Sequence, residues 1–374
     1  MRIILATGIF KPEIGGPAFY VPQIAEELIK LGHQVAVISY SDKNKYDFDK
    51  SLPYPITRIK RSIILLNYYR YFRTVFKKIS KYDLIYTFDY FSAGIPSLLA
   101  TKLKGKKLVI RNGGDLIWER YLSKANIGIS LKNYYKEKLY RKNLFKFIIA
   151  KIVFRFSDLL IFTTKLQGEL FKKYYKINSQ KIKYIKNPLF IKKNCKNRNK
   201  FNKEIIWAGR MVAKNNIIRL VNVFCDLNQD EYKLVLVGEG ELKDELSDLV
   251  KSKNCGQVIF KDKMLREELK LKMINSYAMV FPSYTDISPN TVLDCLALDV
   301  PFIITQEHGF YWLQGKVVEF NPISDEELKE AFVKLMNKDF YKDFQENLLR
   351  INYNNYTFNQ ATQDTVKLFK KLLK

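Results

Sequence analysis

Histidine is nearly absent from the 374 residues: the two, His33 and His308, stand far apart, and no histidine cluster argues for a metal site. Cysteine is sparse as well. Cys195, Cys225, Cys255 and Cys295 show no CxxC spacing, which predicts reduced thiols in a cytoplasmic setting. No run approaches the ~18 uncharged apolar residues of a spanning helix, and the opening MRIILATGIF enters a strand with no apolar leader region before it. A GxGxxG fingerprint is missing too, so dinucleotide binding has no support.

Acidic residues are outnumbered, 38 against 64 basic ones, for a formal net charge of +26. Such an excess points to nucleic acid, an anionic membrane surface or acidic substrates, or else to a composition heavy in Lys, Ile, Tyr and Asn. No nucleic-acid-binding motif accompanies it. Hydrophobic content of 47% and aromatic content of 14% supply packed interiors rather than disorder. The length predicts two domains.

Strands alternate with helical patterns along the chain. A strand at 3–7, a loop with the pair Gly15-Gly16, a helix at 21–31 and a strand at 34–39 make a βαβ opening, where absent side chains let backbone N–H groups approach a ligand. Further strands read at 84–87, 108–110, 159–163 and 182–185. Two stretches, 67–78 and 133–156, mix aromatic and basic residues. In the first, Tyr68, Tyr71, Phe72, Val75 and Ile79 share one helical face, which suits an anionic membrane or an ordinary core. Residues 191–203 read as a linker between domains at 1–190 and 204–354, with a basic amphipathic helix at 355–374 packing back onto the first.

The most informative stretch is 281–305, FPSYTDISPNTVLDCLALDVPFIIT. It runs from a strand end through a polar loop into a short helix and back to a β-branched strand. Ser288, Pro289, Asn290 and Thr291 form a helix start whose N–H groups attract phosphate. Asp286 and Asp294 flank it, eight positions apart. Carboxylates beside an anion site make sense when the ligand also bears hydroxyl groups, which ionised Asp accepts. A sugar nucleotide has both.

This acid-x7-acid pattern resembles the E-x7-E motif of retaining GT-B glycosyltransferases of family four, the glycosyl transferases group 1, with Asp replacing Glu at both places. The resemblance spans essentially the whole chain and implies an α/β GT-B fold, two Rossmann-like domains facing a cleft. It also implies transfer of a hexose from a nucleotide diphosphate sugar to a hydroxyl acceptor, in cell-surface glycan or lipid-linked saccharide synthesis, with no metal or further cofactor. Gly209-Arg210 matches the family's glycine-arginine; the family's lysine falls on Asn215, and Lys214 is one residue early. Arg210 and Lys214 are expected to clamp the diphosphate, Asp286 to bind sugar hydroxyls and Asp294 the ribose. Gly238 is expected to give the donor room, Lys263-Met264 to hold the base through backbone, and Gly15 and Gly16 to reach the diphosphate or acceptor from the other domain. Asp115, in RNGGDLIWERY, is either a polar contact to the acceptor or sugar, or the cap of the following helix. Expected partners are a nucleotide sugar, a saccharide or lipid-linked acceptor and an anionic membrane surface, without nucleic acid, in the cytoplasm and peripheral at the inner face of the cell membrane. Two alternatives stay open, a nucleotide-sugar epimerase and a catalytically silent protein on the same fold.

Overall fold

A computed structural model describes residues 1–13, 15–125, 127–188, 201–351 and 356–374. Among them the first parallel sheet contains β1 (Arg2–Thr7), β2 (Gln34–Ser41), β3 (Ile56–Lys60), β4 (Leu84–Thr87), β5 (Lys107–Asn112), β6 (Leu159–Phe162) and β7 (Ile182–Tyr184). The second contains β8 (Asn202–Ala208), β9 (Lys233–Val237), β10 (Val258–Lys261), β11 (Ser276–Phe281), β12 (Phe302–Thr305) and β13 (Val318–Phe320). Their helices are α1 (Gly16–Lys30), α2 (Ile64–Ile79), α3 (Gly94–Leu103), α4 (Leu116–Ala125), α5 (Leu131–Lys136), α6 (Leu144–Phe156) and α7 (Lys165–Tyr175), then α8 (Ile217–Cys225), α9 (Lys243–Ser252), α10 (Arg266–Ile274), α11 (Asn290–Ala297), α12 (Asp325–Met336), α13 (Lys338–Arg350) and α14 (Phe358–Leu373).

The central strands are apolar on both faces. β1 reads RIILAT with every residue after Arg2 buried, as a strand covered by helices on each side requires. Strand order is β3-β2-β1-β4-β5-β6-β7 in one sheet and β10-β9-β8-β11-β12-β13 in the other. Each order reverses direction once, between β1 and β4 and between β8 and β11. Loops leaving the carboxyl ends of those strand pairs diverge and leave a crevice, the usual ligand position in doubly wound sheets.

The chain forms two compact units. One is 1–114, 143–188 and 356–374; the other is 115–142 with 189–355. Residues 115–142, read from sequence as part of the first domain, therefore group with the second, because α4 packs on the turn at Ala213–Asn215 and the Leu131 N–H donates to Thr285 Oγ1 at 2.8 Å. Of the linker read at 191–203, positions up to 200 lie outside the described residues, as do 352–355 at the junction before α14. In the first unit α14 packs against α1, its Ala361, Val366 and Phe369 entering a core with Ile3, Leu5 and Ile24.

One expectation is corrected by the structure and one open alternative is resolved. Cys225, ending α8, and Cys255 form a disulfide with Cα atoms 5.6 Å apart, so these thiols are not reduced. The bond joins residues 30 apart in sequence, and only the packing of α8 beside α9 brings them together. In α2, Tyr71, Val75 and Ile79 are buried. The face singled out from sequence as a membrane candidate is the core face.

Candidate active site

Loops at the switch point of the second sheet carry most of the residues read from sequence. After β8 the chain turns through Gly209 and Arg210, and this turn is strapped to the loop after β9: Gly209 N–H donates to Val237 O at 3.0 Å and Met211 N–H to Glu239 O at 2.9 Å. The strap needs close backbone approach. Gly238 has φ +143°, and a Cβ there would collide with the Gly209 carbonyl oxygen. The room that sequence reasoning reserved for a donor at Gly238 is thus taken by Gly209.

Arg210 is exposed, and its guanidinium has no hydrogen-bond or ion-pair partner among the described residues. Its own carbonyl accepts from Asn215 Nδ2 at 2.6 Å. Asn215, where the resembled family has lysine, therefore closes the turn. Lys214 is the cation instead; it sits in the 3-10 turn Ala213–Asn215, its Nζ donating to Glu119 Oε1 of α4 at 2.9 Å. The next residue, Asn216, takes the left-handed conformation at φ 54° and donates from Nδ2 to Pro282 O at 3.1 Å and Pro322 O at 2.7 Å. That buried amide ties the β8 loop to the ends of β11 and β13.

The loop after β11 lies against it. Tyr284 N–H donates to Lys214 O at 3.1 Å. Two residues on, Asp286 is fixed through its backbone: its N–H donates to Glu307 O at 2.9 Å and its carbonyl accepts from Gly309 N–H at 3.0 Å. Its carboxylate accepts nothing among the described residues. Burial pushes its pKa up to about 6, against the pull of the Lys214 charge. Beside it His308 is buried and structural, Nδ1 accepting from Phe310 N–H at 3.1 Å and Nε2 facing Glu319 Oε1 at 2.6 Å.

Helix α11 starts at Asn290 with Pro289 in the cap position, a residue whose side chain makes no cap hydrogen bond. The helix start falls within the expected tetrad Ser288 to Thr291. One turn in, Asp294 is buried, and Arg266 Nη2 donates to its two oxygens at 2.5 and 2.6 Å. Burial raises its pKa to about 6, and Arg266 opposes that rise. Sequence reasoning missed both Arg266 and Glu119. Lys263 is exposed, 3.5 Å from Glu239, and Met264 packs against the core under β11 and β12.

Asp115 is also buried. Its Oδ1 accepts from the N–H groups of Ile117 and Trp118 at 2.9 and 3.1 Å, and its Oδ2 from Tyr135 Oη at 2.5 Å. This is the capping role, the second of the two readings of Asp115, and both oxygens accept from the protein. Gly15 and Gly16 belong to the other unit. Gly15 precedes α1, where a Cβ would meet Ile9 Cδ1; around Gly16 the space is open.

Comparison with known proteins agrees with the two-sheet architecture. Residues 14–190 match Glycosyltransferase Family 4, and residues 191–355 match Glycosyl transferases group 1. The uncharacterized glycosyltransferase MJ1059 of Methanocaldococcus jannaschii is 25% identical over 303 residues, 77% of this chain and 67% of that protein. A Bacillus subtilis glycosyltransferase, TuaC, whose given name assigns it to teichuronic acid biosynthesis, is 28% identical over 37% of this chain and 34% of its own length. Among solved structures, sucrose-phosphate synthase of Thermosynechococcus elongatus superposes with a TM-score of 0.77 at 16% identity, covering 99% of this chain and 98% of that one. Anabaena Alr3699/HepE in complex with UDP-glucose gives 0.75 at 14%, covering 99% and 100%. Two parallel sheets of the same build, matched end to end by such structures and by two consecutive family regions, make this chain a GT-B glycosyltransferase of the glycosyl transferases group 1.

Proposed function

We propose that the protein moves a hexose from a nucleoside diphosphate sugar to a hydroxyl of a saccharide or lipid-linked saccharide, with retention at the anomeric carbon and no cofactor besides the donor. One observation carries the reading: Arg210 and Asp286, on loops leaving the adjacent strands β8 and β11, are charged groups that nothing in the described protein satisfies. A diphosphate answers the first and sugar hydroxyls answer the second. As the bond from the anomeric carbon to the diphosphate breaks, negative charge grows on the leaving oxygen; Arg210 and the positive end of the α11 dipole offset it. Lys214 adds a second positive charge nearby, oriented by Glu119. Asp294 retains lone pairs beyond those used by Arg266 and accepts from ribose hydroxyls. The complexes of HepE with UDP and UDP-glucose support a nucleotide sugar as donor, and the TuaC match supports a surface polysaccharide as the product.

A panel of nucleotide sugars, read by released nucleotide with and without acceptor saccharides, tests this. Turnover that needs both donor and acceptor is expected. Conversion of donor alone would assign an epimerase, and calorimetry showing no uptake of any nucleoside diphosphate would make the protein catalytically silent.

A further inference from the structure

Charge is unevenly distributed along the chain. Residues 1–190 hold 36 of the 64 basic and 13 of the 38 acidic side chains, so +23 of the +26 lies there. A lysine-rich composition alone would raise both halves alike, yet the second half is nearly balanced. Of that excess, α2, α3 and α6 together supply eight Lys and Arg with no Asp or Glu among them.

These three helices share one face of the first sheet. The crossovers β3-α2-β4 and β4-α3-β5, and the return through α6 to β6, all step across the sheet in the same direction, and right-handed connections put such helices on one side. Helix α3 packs against both of the others. Their outer surfaces are apolar where a solvated helix is ordinarily polar. On α6, Phe145, Ile148 and Ile152 line one stripe, with Phe145 77% exposed, opposite the buried Phe147, Ala150 and Phe154. Leu99 and Leu103 sit one turn apart on the outside of α3, and Leu65 at the start of α2 is 81% exposed. Lys146, Lys151 and Arg155 frame the α6 stripe.

Apolar tips set among cations, with Asp158 just after α6 already paired to Lys102 and Lys107, complement an anionic bilayer, whose phosphates meet the cations and whose acyl boundary accepts the tips. Nucleic acid has no apolar phase to receive Phe145 and Ile148. We propose that α2, α3 and α6 form a docking face for an anionic membrane surface. The proposal deepens the lipid-linked acceptor reading above, and it can fail without it because vesicle binding is measured in the absence of donor.

Cosedimentation with phosphatidylcholine vesicles, with and without phosphatidylglycerol, tests the proposal on the whole chain. Wild type is expected to bind the anionic vesicles only. The pair F145S/I148S, or K146E/K151E should the serine pair misfold, is expected to weaken binding about tenfold or more. The equal charge change K370E/K371E, on α14 over the other face of the sheet, is expected to leave it within about twofold. Absence of anionic preference overturns the proposal, and so does equal loss in the α14 variant, which would make binding a matter of net charge. Light scattering that shows F145S/I148S splitting a dimer with vesicle binding intact would also overturn it and assign the face to a second copy of the chain.

Discussion

The same strand arrangement produces two switch points with different chemistry. At the first, between β1 and β4, the carboxylate of Asp89 accepts from the N–H groups of Phe91 and Ala93 at 3.0 and 2.9 Å and from the Ser92 hydroxyl at 2.9 Å. At the second, between β8 and β11, the Asp286 carboxylate accepts from no described residue and the Arg210 guanidinium donates to none. Topology supplies a crevice in both cases. Ligand chemistry is marked by the groups that the local fold leaves unsatisfied, which is why function is argued from the site and not from the sheet.

Replacing Arg210 breaks this comparison most directly. Arg210→Ala is expected to cut donor turnover about a hundredfold or more, with the melting temperature unchanged because the side chain is exposed and unpaired. Unchanged turnover would remove the cation from the mechanism.

Asp286→Asn is expected to lower donor kcat/KM about tenfold. In wild type, kcat/KM should fall as pH drops through about 6, where Asp286 takes up a proton and can no longer accept from two hydroxyls. The stability sign is the reverse. A folded pKa raised from 3.8 to about 6 means the charged form is disfavoured in the fold, so this group favours folding most at low pH and the benefit is lost as pH rises through about 6. Asp286→Asn should therefore raise the melting temperature at neutral pH. A wild-type profile flat across that range contradicts the assignment.

Arg266→Ala strands the buried Asp294 carboxylate and is expected to cost ~2 kcal/mol at neutral pH. Chemical denaturation at falling pH should show the cost shrinking, since a protonated Asp294 needs no counterion. The smallest effect is expected for Asp115→Asn, which keeps an oxygen to cap α4: acceptor KM and donor turnover within about twofold of wild type. A steep rise in acceptor KM would return Asp115 to the substrate.

What the sequence made readable was what local pattern carries. β1, β4 and the β11-loop-α11 unit are continuous apolar runs broken by loop residues, and they lie within a residue or two of where periodicity put them. The i, i+4 face of α2 was located correctly, with Tyr71, Val75 and Ile79 all buried, but pattern alone did not say whether core or membrane covered it. Pairings across long separations were invisible. Glu119 meets Lys214 from 95 residues away and Arg266 meets Asp294 from 28, and the disulfide has no motif at all. The displaced lysine was readable as a departure from the family pattern. Its consequence, that Asn215 closes the turn by bonding Arg210 O, required the backbone to be seen.

Helix α14, the last element of the chain, completes the first unit's core: Phe369 packs edge-on against Tyr86 at 5.2 Å between ring centres, and Asn359 bonds Glu27 of α1. During synthesis the second unit has all its strands available while the first still lacks a wall. The half of the protein that leaves the ribosome earliest is thus the one that must wait for α14, and deleting that helix would expose the interior formed by β1 and α1.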